Sequence, residues 1–194
     1  MINRISQDRW AEAQISERTF HQQKFEESAK HYEKAYENYF RYTGVNRDLK
    51  GSSVVEIGPA KVAGLYFCEN YGESYIIEPT IYEDALPLYN KKITFIHEPA
   101  ETCNFPSVDE AWLFNVLEHV IDPTEIINLC KKNCKIIRFF EPDGHGGKDA
   151  AHPHCITFDY LESQFGEGCV KRYVGGTVKK NFHGANCSYG VWIK

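Results

Sequence analysis

Apolar and polar positions change period twice along this chain. From Phe25 to Tyr39 the apolar residues Phe25, Ala29, Tyr32, Tyr36 and Tyr39 recur at steps of four, three, four and three, with glutamates and lysines between them. That spacing puts an aromatic stripe on one face of a helix. Residues 1–48 therefore read as a helical segment, with Ser16 a candidate cap for its start and Gly44 its stop. Val45 to Ser52, polar and containing Gly51, is the boundary to a second unit at 49–194. There the pattern becomes short apolar runs rich in β-branched residues, separated by turn residues and helical stretches. Strands are predicted at Ser53–Ile57, Ser74–Ile77, Lys92–Ile96, Glu110–Phe114 and Lys135–Phe140, with two more at Cys169–Val174 and Asn186–Ile193 around a Gly-rich, basic connection. Helices are predicted from Val62 to about Asn70, as a short turn within Tyr82–Tyr89, and at Phe158–Phe165. Another opens at Asp122-Pro123-Thr124-Glu125, read as an N-cap, a proline at the first helical position and a glutamate returning to the cap, and runs to about Lys132. Strand and helix in alternation predict an α/β fold, a mostly parallel sheet with helices on both faces and a two-strand finish.

Composition narrows the class. The 194 residues suffice for one domain with a sizeable core, and the formal net charge of -5 argues against a nucleic-acid binder. No apolar run approaches the roughly 20 residues that span a bilayer, and the N-terminus lacks the apolar centre of a secretory signal. Seven cysteines without framework spacing fit reduced thiols and a cytoplasmic location. Cys130 and Cys134 have no second pair at zinc-finger spacing and read as buried or idle thiols.

Acidic residues stand at successive strand ends: Glu56 before Gly58, then Glu78, then Glu98. In a parallel sheet these ends share one edge, where open α/β sheets bind ligands. Glu56 and Glu78 are 22 residues apart, near the ~20-residue interval at which an acidic side chain reaches ribose hydroxyls. The Gly58-Pro59 turn lacks the third glycine and the lysine of phosphate-binding loops, and the carboxylates would repel a pyrophosphate. The expected ligand carries ribose and positive charge.

Two stretches resemble a known family. Val55-Glu56-Ile57-Gly58-Pro59-Ala60 is similar to the first motif of class I S-adenosylmethionine-dependent methyltransferases. Asn115-Val116-Leu117-Glu118-His119-Val120-Ile121-Asp122-Pro123 resembles the segment after strand four in the branch that includes ubiquinone- and menaquinone-pathway enzymes. The resemblance spans about residues 50–194. It implies a Rossmann-like seven-stranded sheet with its last strand antiparallel, and S-adenosylmethionine as cofactor. By the same resemblance, Glu56, Gly58 and Ala60 would line the methionine part and Glu78 would hold the ribose. Pro79, Ala100 and Glu101 would surround the adenine, with Glu98 or Glu101 near its amino group, and Asn115 and Val116 would close the site beside the sulfonium. Two departures stand out: Ala60 replaces a usual glycine, and Pro99 occupies a position where an acidic adenine partner is common.

Histidines supply the candidates for proton chemistry. His119, His152 and His154 are the candidate bases for a hydroxyl acceptor, since imidazole titrates near neutrality. The resemblance also brings a metal reading for Glu118 and His119, because related quinone-pathway enzymes bind a divalent ion there; Asn115 replaces a further acidic ligand, and no metal is assigned. His152-Pro153-His154 has no partner glutamate and is read as a substrate-side loop with one histidine as contact or base, or as plain loop capping. The expected activity is methyl transfer by in-line displacement to a small, hydroxyl- or sugar-like acceptor. The alternatives are a degenerate member that binds cofactor or a partner without turnover, and a nicotinamide-dependent oxidoreductase. The N-terminal stripe packs on the main domain, covers the crevice, or forms a homodimer.

Overall fold

The computed structural model describes residues 2–147, 149–173 and 186–194. Seven strands form one sheet: β1 Val54–Ile57, β2 Ser74–Ile77, β3 Ile93–Ile96, β4 Val108–Phe114, β5 Cys134–Asp143, β6 Val170–Tyr173 and β7 Asn186–Ile193. Their order is β3-β2-β1-β4-β5-β7-β6. The first five run parallel, and β7 is antiparallel to both of its neighbours. The chain direction reverses its lateral progress between β1 and β4, so the crevice at their carboxyl ends is the topological switch point. The Gly-rich, basic connection lies outside the described residues.

Strand alternation assigns the two faces. Val55, Ile57, Ile77, Ala111, Leu113, Ile137 and Phe139 pack with α3 (Pro123–Asn133) and α4 (Phe158–Phe165). Val54, Ile76, Trp112, Phe114 and Phe140 meet Tyr36, Tyr39 and Phe40 of α2 (Phe25–Thr43) on the other face. The aromatic stripe is therefore spent within the chain, with the Tyr39 ring stacked on Phe114 at a centroid distance of 5.0 Å. Arg138 of β5 fastens this helix: it forks onto Glu110 of β4 at 2.7 and 3.0 Å and donates to the Thr43 carbonyl, a cation at a helix C-terminus. Gly44 ends α2 with φ +71°, a conformation that favours glycine.

Several elements differ from expectation. The N-terminal segment is two helices, α1 (Gln7–Phe20) and α2. Ser16 lies inside α1; Ser6 is its cap, accepting from the Arg9 amide. The start of α2 is satisfied from a distance, as the Phe25 amide donates to Asp84 Oδ2, which Lys61 also contacts. After β1 no α-helix forms, only a single 3-10 turn at Gly64–Phe67. The reason is steric and polar: a Cβ on Gly64 would lie 2.7 Å from the Tyr36 ring, and the Gly64 and Leu65 amides donate to Glu56 instead. Asp122 caps α3 as expected, accepting from Thr124 and Glu125. The return bond to its own amide comes from Glu101, while Glu125 pairs with Arg4 at the surface.

Glu56 is the polar centre of this face. Fully buried, it accepts from the Tyr36 hydroxyl (2.8 Å) and from the Gly64 and Leu65 amides (2.8 and 3.2 Å). Burial still pushes its pKa up to about 7 from the ordinary 4.5. Between those values the folded chain keeps a proton that the unfolded chain has released. Its contribution is fully present below about pH 4.5 and lost as pH rises to about 7. Urea melts of the chain and of Glu56→Gln are expected to show the variant gaining stability relative to the chain from pH 5 to pH 8. Tyr36→Phe, which removes one donor to this buried group, is expected to cost about 1–3 kcal/mol in the same melts.

Candidate active site

The carboxyl ends of β1, β2 and β4 open onto a cavity of about 840 Å³, counting its open mouth. Among the predicted residues it gathers Gly58, Ala60, Glu78, Pro79, Ala100, Glu101, Asn115, Val116 and His119 on one wall. The facing wall comes from the N-terminal helices: Trp10, Gln14 and Glu17 of α1, and Tyr32, Tyr36 and Tyr39 of α2. From sequence the stripe of α2 could pack on the main domain, cover the crevice or form a dimer. It packs on the sheet and also lines this cavity, whereas α1 carried no readable stripe.

The turn after β1 is tight. Gly58 has φ +60°, and a Cβ there would overlap Val116 Cγ2, so the Val116 side chain packs directly on the bare Gly58 backbone. Ala60 sits at φ +56°, the left-handed region that the usual glycine adopts freely. Its amide donates to Glu78 Oε2 at 3.0 Å, and the Thr80 amide donates to Oε1 at 2.9 Å. Glu78 is thereby fixed on the cavity wall with lone pairs to spare on each oxygen. Burial pushes its pKa up to about 7 against those two amide bonds.

Glu101 closes the β3 side. Its Oε1 accepts from the Ile121 and Asp122 amides at 2.7 and 3.0 Å, and burial raises its pKa. Asn115, at φ +55°, turns the chain out of β4. Behind it the buried Glu141 accepts from the Val116 and Leu117 amides at 3.1 and 3.3 Å, and its pKa is held high by burial.

Three predicted residues lie elsewhere. The Glu56 carboxylate points away from the cavity into its bonds with Tyr36 and the 3-10 turn, because that turn needs an acceptor. Glu98 is exposed and outside the lining, although the next residue, Pro99, does line the cavity. His154 is buried in neither cavity wall: its Nε2 donates to the Val120 carbonyl at 2.8 Å and its amide to the Glu118 carbonyl, stapling two loops together. Burial lowers its pKa.

A second, larger cavity, about 1720 Å³ counting its open mouth, adjoins the first, sharing Glu17, His21, Tyr32, Tyr39, Asn115 and His119. His119 Nδ1 lies 3.0 Å from the Ala151 carbonyl, an atom that only accepts, so this nitrogen carries the proton and Nε2 the lone pair. Burial lowers its pKa despite the nearby Glu17 and Glu118 carboxylates. His152 lines the second cavity with Glu118 and His145. His145 was not singled out from sequence, although it lies in the same Gly-rich loop.

No family model and no curated protein sequence matches the chain. Solved structures do. A Burkholderia thailandensis 1,6-didemethyltoxoflavin-N1-methyltransferase with bound 1,6-didemethyltoxoflavin and S-adenosylhomocysteine superposes with a TM-score of 0.67 at 11% identity, covering 100% of this chain and 94% of that one. A Haloferax volcanii complex of a methyltransferase with its activator protein gives 0.65 at 10% identity over 98% and 100% of the two chains. The N-methyltransferase NodS of Bradyrhizobium japonicum with S-adenosylhomocysteine gives 0.60 at 11%, covering 84% and 87%. The fold is thus the Rossmann-like methyltransferase fold, with the last strands antiparallel. No helix among the described residues is long and apolar enough to cross a membrane.

An alanine held in the left-handed region costs about 1–2 kcal/mol, partly offset by the extra freedom glycine has when unfolded. Ala60→Gly is expected to raise stability by about 0.5–1 kcal/mol in urea melts, while keeping the amide bond to Glu78.

Proposed function

We propose that this chain transfers a methyl group from S-adenosylmethionine to a small acceptor held in the second cavity. The observation that carries the reading is the first cavity's electrostatics. Among the described residues its lining has three glutamates, Glu17, Glu78 and Glu101, and neither lysine nor arginine. A ligand with phosphates would meet uncompensated negative charge there. A cationic ligand with hydroxyls would meet acceptors. The aromatic wall of Tyr32, Tyr36, Tyr39 and Phe114 adds ring faces that attract a sulfonium. These features fit the cofactor and disfavour a nicotinamide dinucleotide.

The residues divide the work as follows. Glu78 accepts from the ribose hydroxyls with the lone pairs left free by Thr80 and Ala60. Gly58, Ala60, Asn115 and Val116 bound the methionine end, and Pro79, Pro99, Ala100 and Glu101 the base. Glu56 and Glu98 have no direct part. When bound, the cofactor supplies an electrophilic methyl on sulfur. The protein's contribution is alignment, since displacement needs the acceptor atom in line at about 3–3.5 Å. His119 stands at the junction of the two cavities with its Nε2 lone pair available, the position for taking a proton from an acceptor hydroxyl. His152 stands on the acceptor side, and His154 serves the loops alone. The bound small molecules of the toxoflavin enzyme and NodS support the cofactor half of this reading and leave the acceptor to experiment.

Thermal shift with S-adenosylhomocysteine against NAD tests the cofactor, and labelled methyl donor with fractionated metabolites finds the acceptor. A shift by NAD alone would defeat the proposal. Glu78→Ala is expected to lose at least roughly tenfold in S-adenosylhomocysteine affinity, the loss of one good charge-assisted interaction, with the fold retained. Because Glu78 titrates at about 7 and offers its full charge and acceptor capacity only as the carboxylate, affinity should rise from pH 6 to pH 8. His21, Glu17 and Tyr82 are the charged or titratable groups facing it, so Glu78→Gln is the control in which that rise is diminished.

A further inference from the structure

Three ligand-type side chains, one from the turn after β4 and two from the loop after β5, converge on the acceptor side. Glu118, on the turn after β4, has a side chain only 2% exposed. His145 Nδ1 lies 3.2 Å from its Oε2, a hydrogen bond in which the ring nitrogen donates, so an ion bound at this nitrogen displaces that proton. His152 Nε2 approaches Oε1 at 3.8 Å. One donor atom from each of the three lies within 4.8 Å of the others. Among the described residues, the ion pairs of Glu118 all run to histidines.

The hydrogen bonds fix how His152 faces this carboxylate. Its Nδ1 lies 2.8 Å from Asp149 Oδ1, and a carboxylate only accepts, so Nδ1 carries the proton. In the neutral ring the lone pair is then on Nε2, directed at Glu118 Oε1 from 3.8 Å. That distance is too long for a hydrogen bond. Two electron-rich atoms facing each other beside a buried carboxylate repel unless a cation lies between them, either a proton on Nε2 or a metal ion. A carboxylate holding the far nitrogen of an imidazole is also the arrangement that orients metal-binding histidines. In a tetrahedral site with bonds of about 2.0–2.1 Å, neighbouring ligand atoms stand roughly 3.3 Å apart. The separations to the carboxylate are 3.2 Å at Oε2 and 3.8 Å at Oε1, and one atom of each residue lies within 4.8 Å of the others, so side-chain movement of about 1 Å brings the three to that geometry.

We propose that Glu118, His145 and His152 hold one divalent transition-metal ion of the zinc class. Two imidazoles with one carboxylate favour such an ion over magnesium or calcium, which prefer oxygen ligands. Three protein ligands leave a further position, and it opens into the second cavity that all three residues line. An acceptor with an oxygen donor, a hydroxyl or a carboxylate, fills it. Ion binding stands alone; the acceptor assignment rests on the methyltransferase reading above. Glu17, His119 and His152 form a neighbouring group that shares His152. Its claim is weaker, because Glu17 already pairs with His21 at 3.2 Å and meets His119 through the protonated Nδ1.

The test uses the full chain without a histidine tag, stripped with chelator and titrated with Co²⁺ by visible absorption and with Zn²⁺ by calorimetry. One ion per chain is expected, weakened at least roughly tenfold in Glu118→Gln and in His145→Ala and also weakened in Asp149→Asn. Glu17→Gln should bind as the parent does. S-adenosylhomocysteine thermal shift, run on every variant, reports folding and the cofactor reading separately. If the parent binds no ion while S-adenosylhomocysteine still shifts it, the metal proposal falls and the methyltransferase reading stands. If ion binding survives in Glu118→Gln or His145→Ala, or is lost in Glu17→Gln, this ligand set is wrong. If the ion binds as expected and S-adenosylhomocysteine does not, the site stands and its acceptor role falls.

Discussion

Buried carboxylates gripping backbone amides of neighbouring loops hold the working edge of this protein together. Glu56 takes the amides of the turn after its own strand, Glu78 those of Ala60 and Thr80, Glu101 those of Ile121 and Asp122, and Glu141 those of Val116 and Leu117. Loop backbone at the mouth of a sheet has donors that no ladder satisfies, and an unmade bond there costs about 1–3 kcal/mol. A carboxylate can serve two or three donors at once, which no single neutral acceptor does as compactly. The cost appears in the raised pKa values of all four groups.

That arrangement gives the cavity its sign. Two of the four carboxylates, Glu78 and Glu101, lie on the lining, so the groups that fix the loops also make the crevice a place for positive charge. Glu56 and Glu141 stand one layer deeper, where they set loop shape without meeting a ligand. The difference is reach: Glu78 bonds to the outer edge of the Gly58–Ala60 turn, whereas Glu56 bonds beneath it to Gly64 and Leu65.

The alternation of β-branched runs, the Gly44 stop and the Asp122-Pro123 start were legible because each is a local rule with a local cause. The seven-stranded sheet and its antiparallel finish followed from them together with the family resemblance, whereas the strand order is read from the structure. What sequence could not show is set by contacts distant along the chain. The stretch after β1 has helical composition, yet Tyr36 occupies the space and Glu56 takes the amides. The tips Glu56, Glu78 and Glu98 look equivalent in sequence; only the depth of each loop decides that one is buried, one lines the cavity and one is exposed. His154 looked like its neighbour His152, but its amide bonds to the Glu118 carbonyl and its ring to the Val120 carbonyl, partners distant along the chain that hold it inward. Glu17 and His145 were invisible as site residues because their partners lie on other elements.

The two N-terminal helices contribute unequally. α2 is anchored through its aromatic face and Arg138, and withdrawing it would open the core. α1 has one fully buried side chain among those described, Ala13. Its ties are polar: Arg9 donates to the Asp149 and Ala150 carbonyls at 2.7 Å each, and Arg18 reaches Thr80. Yet it supplies Trp10, Gln14 and Glu17 to the first cavity and Ser16 and Glu17 to the second. An element with a large share of the wall and a small share of the core can shift at little cost to stability, because local opening energies follow buried apolar contact. The same Arg9 bonds hold the loop that carries His145 and His152. Access to the first cavity and the geometry of the histidine cluster are therefore governed by one helix.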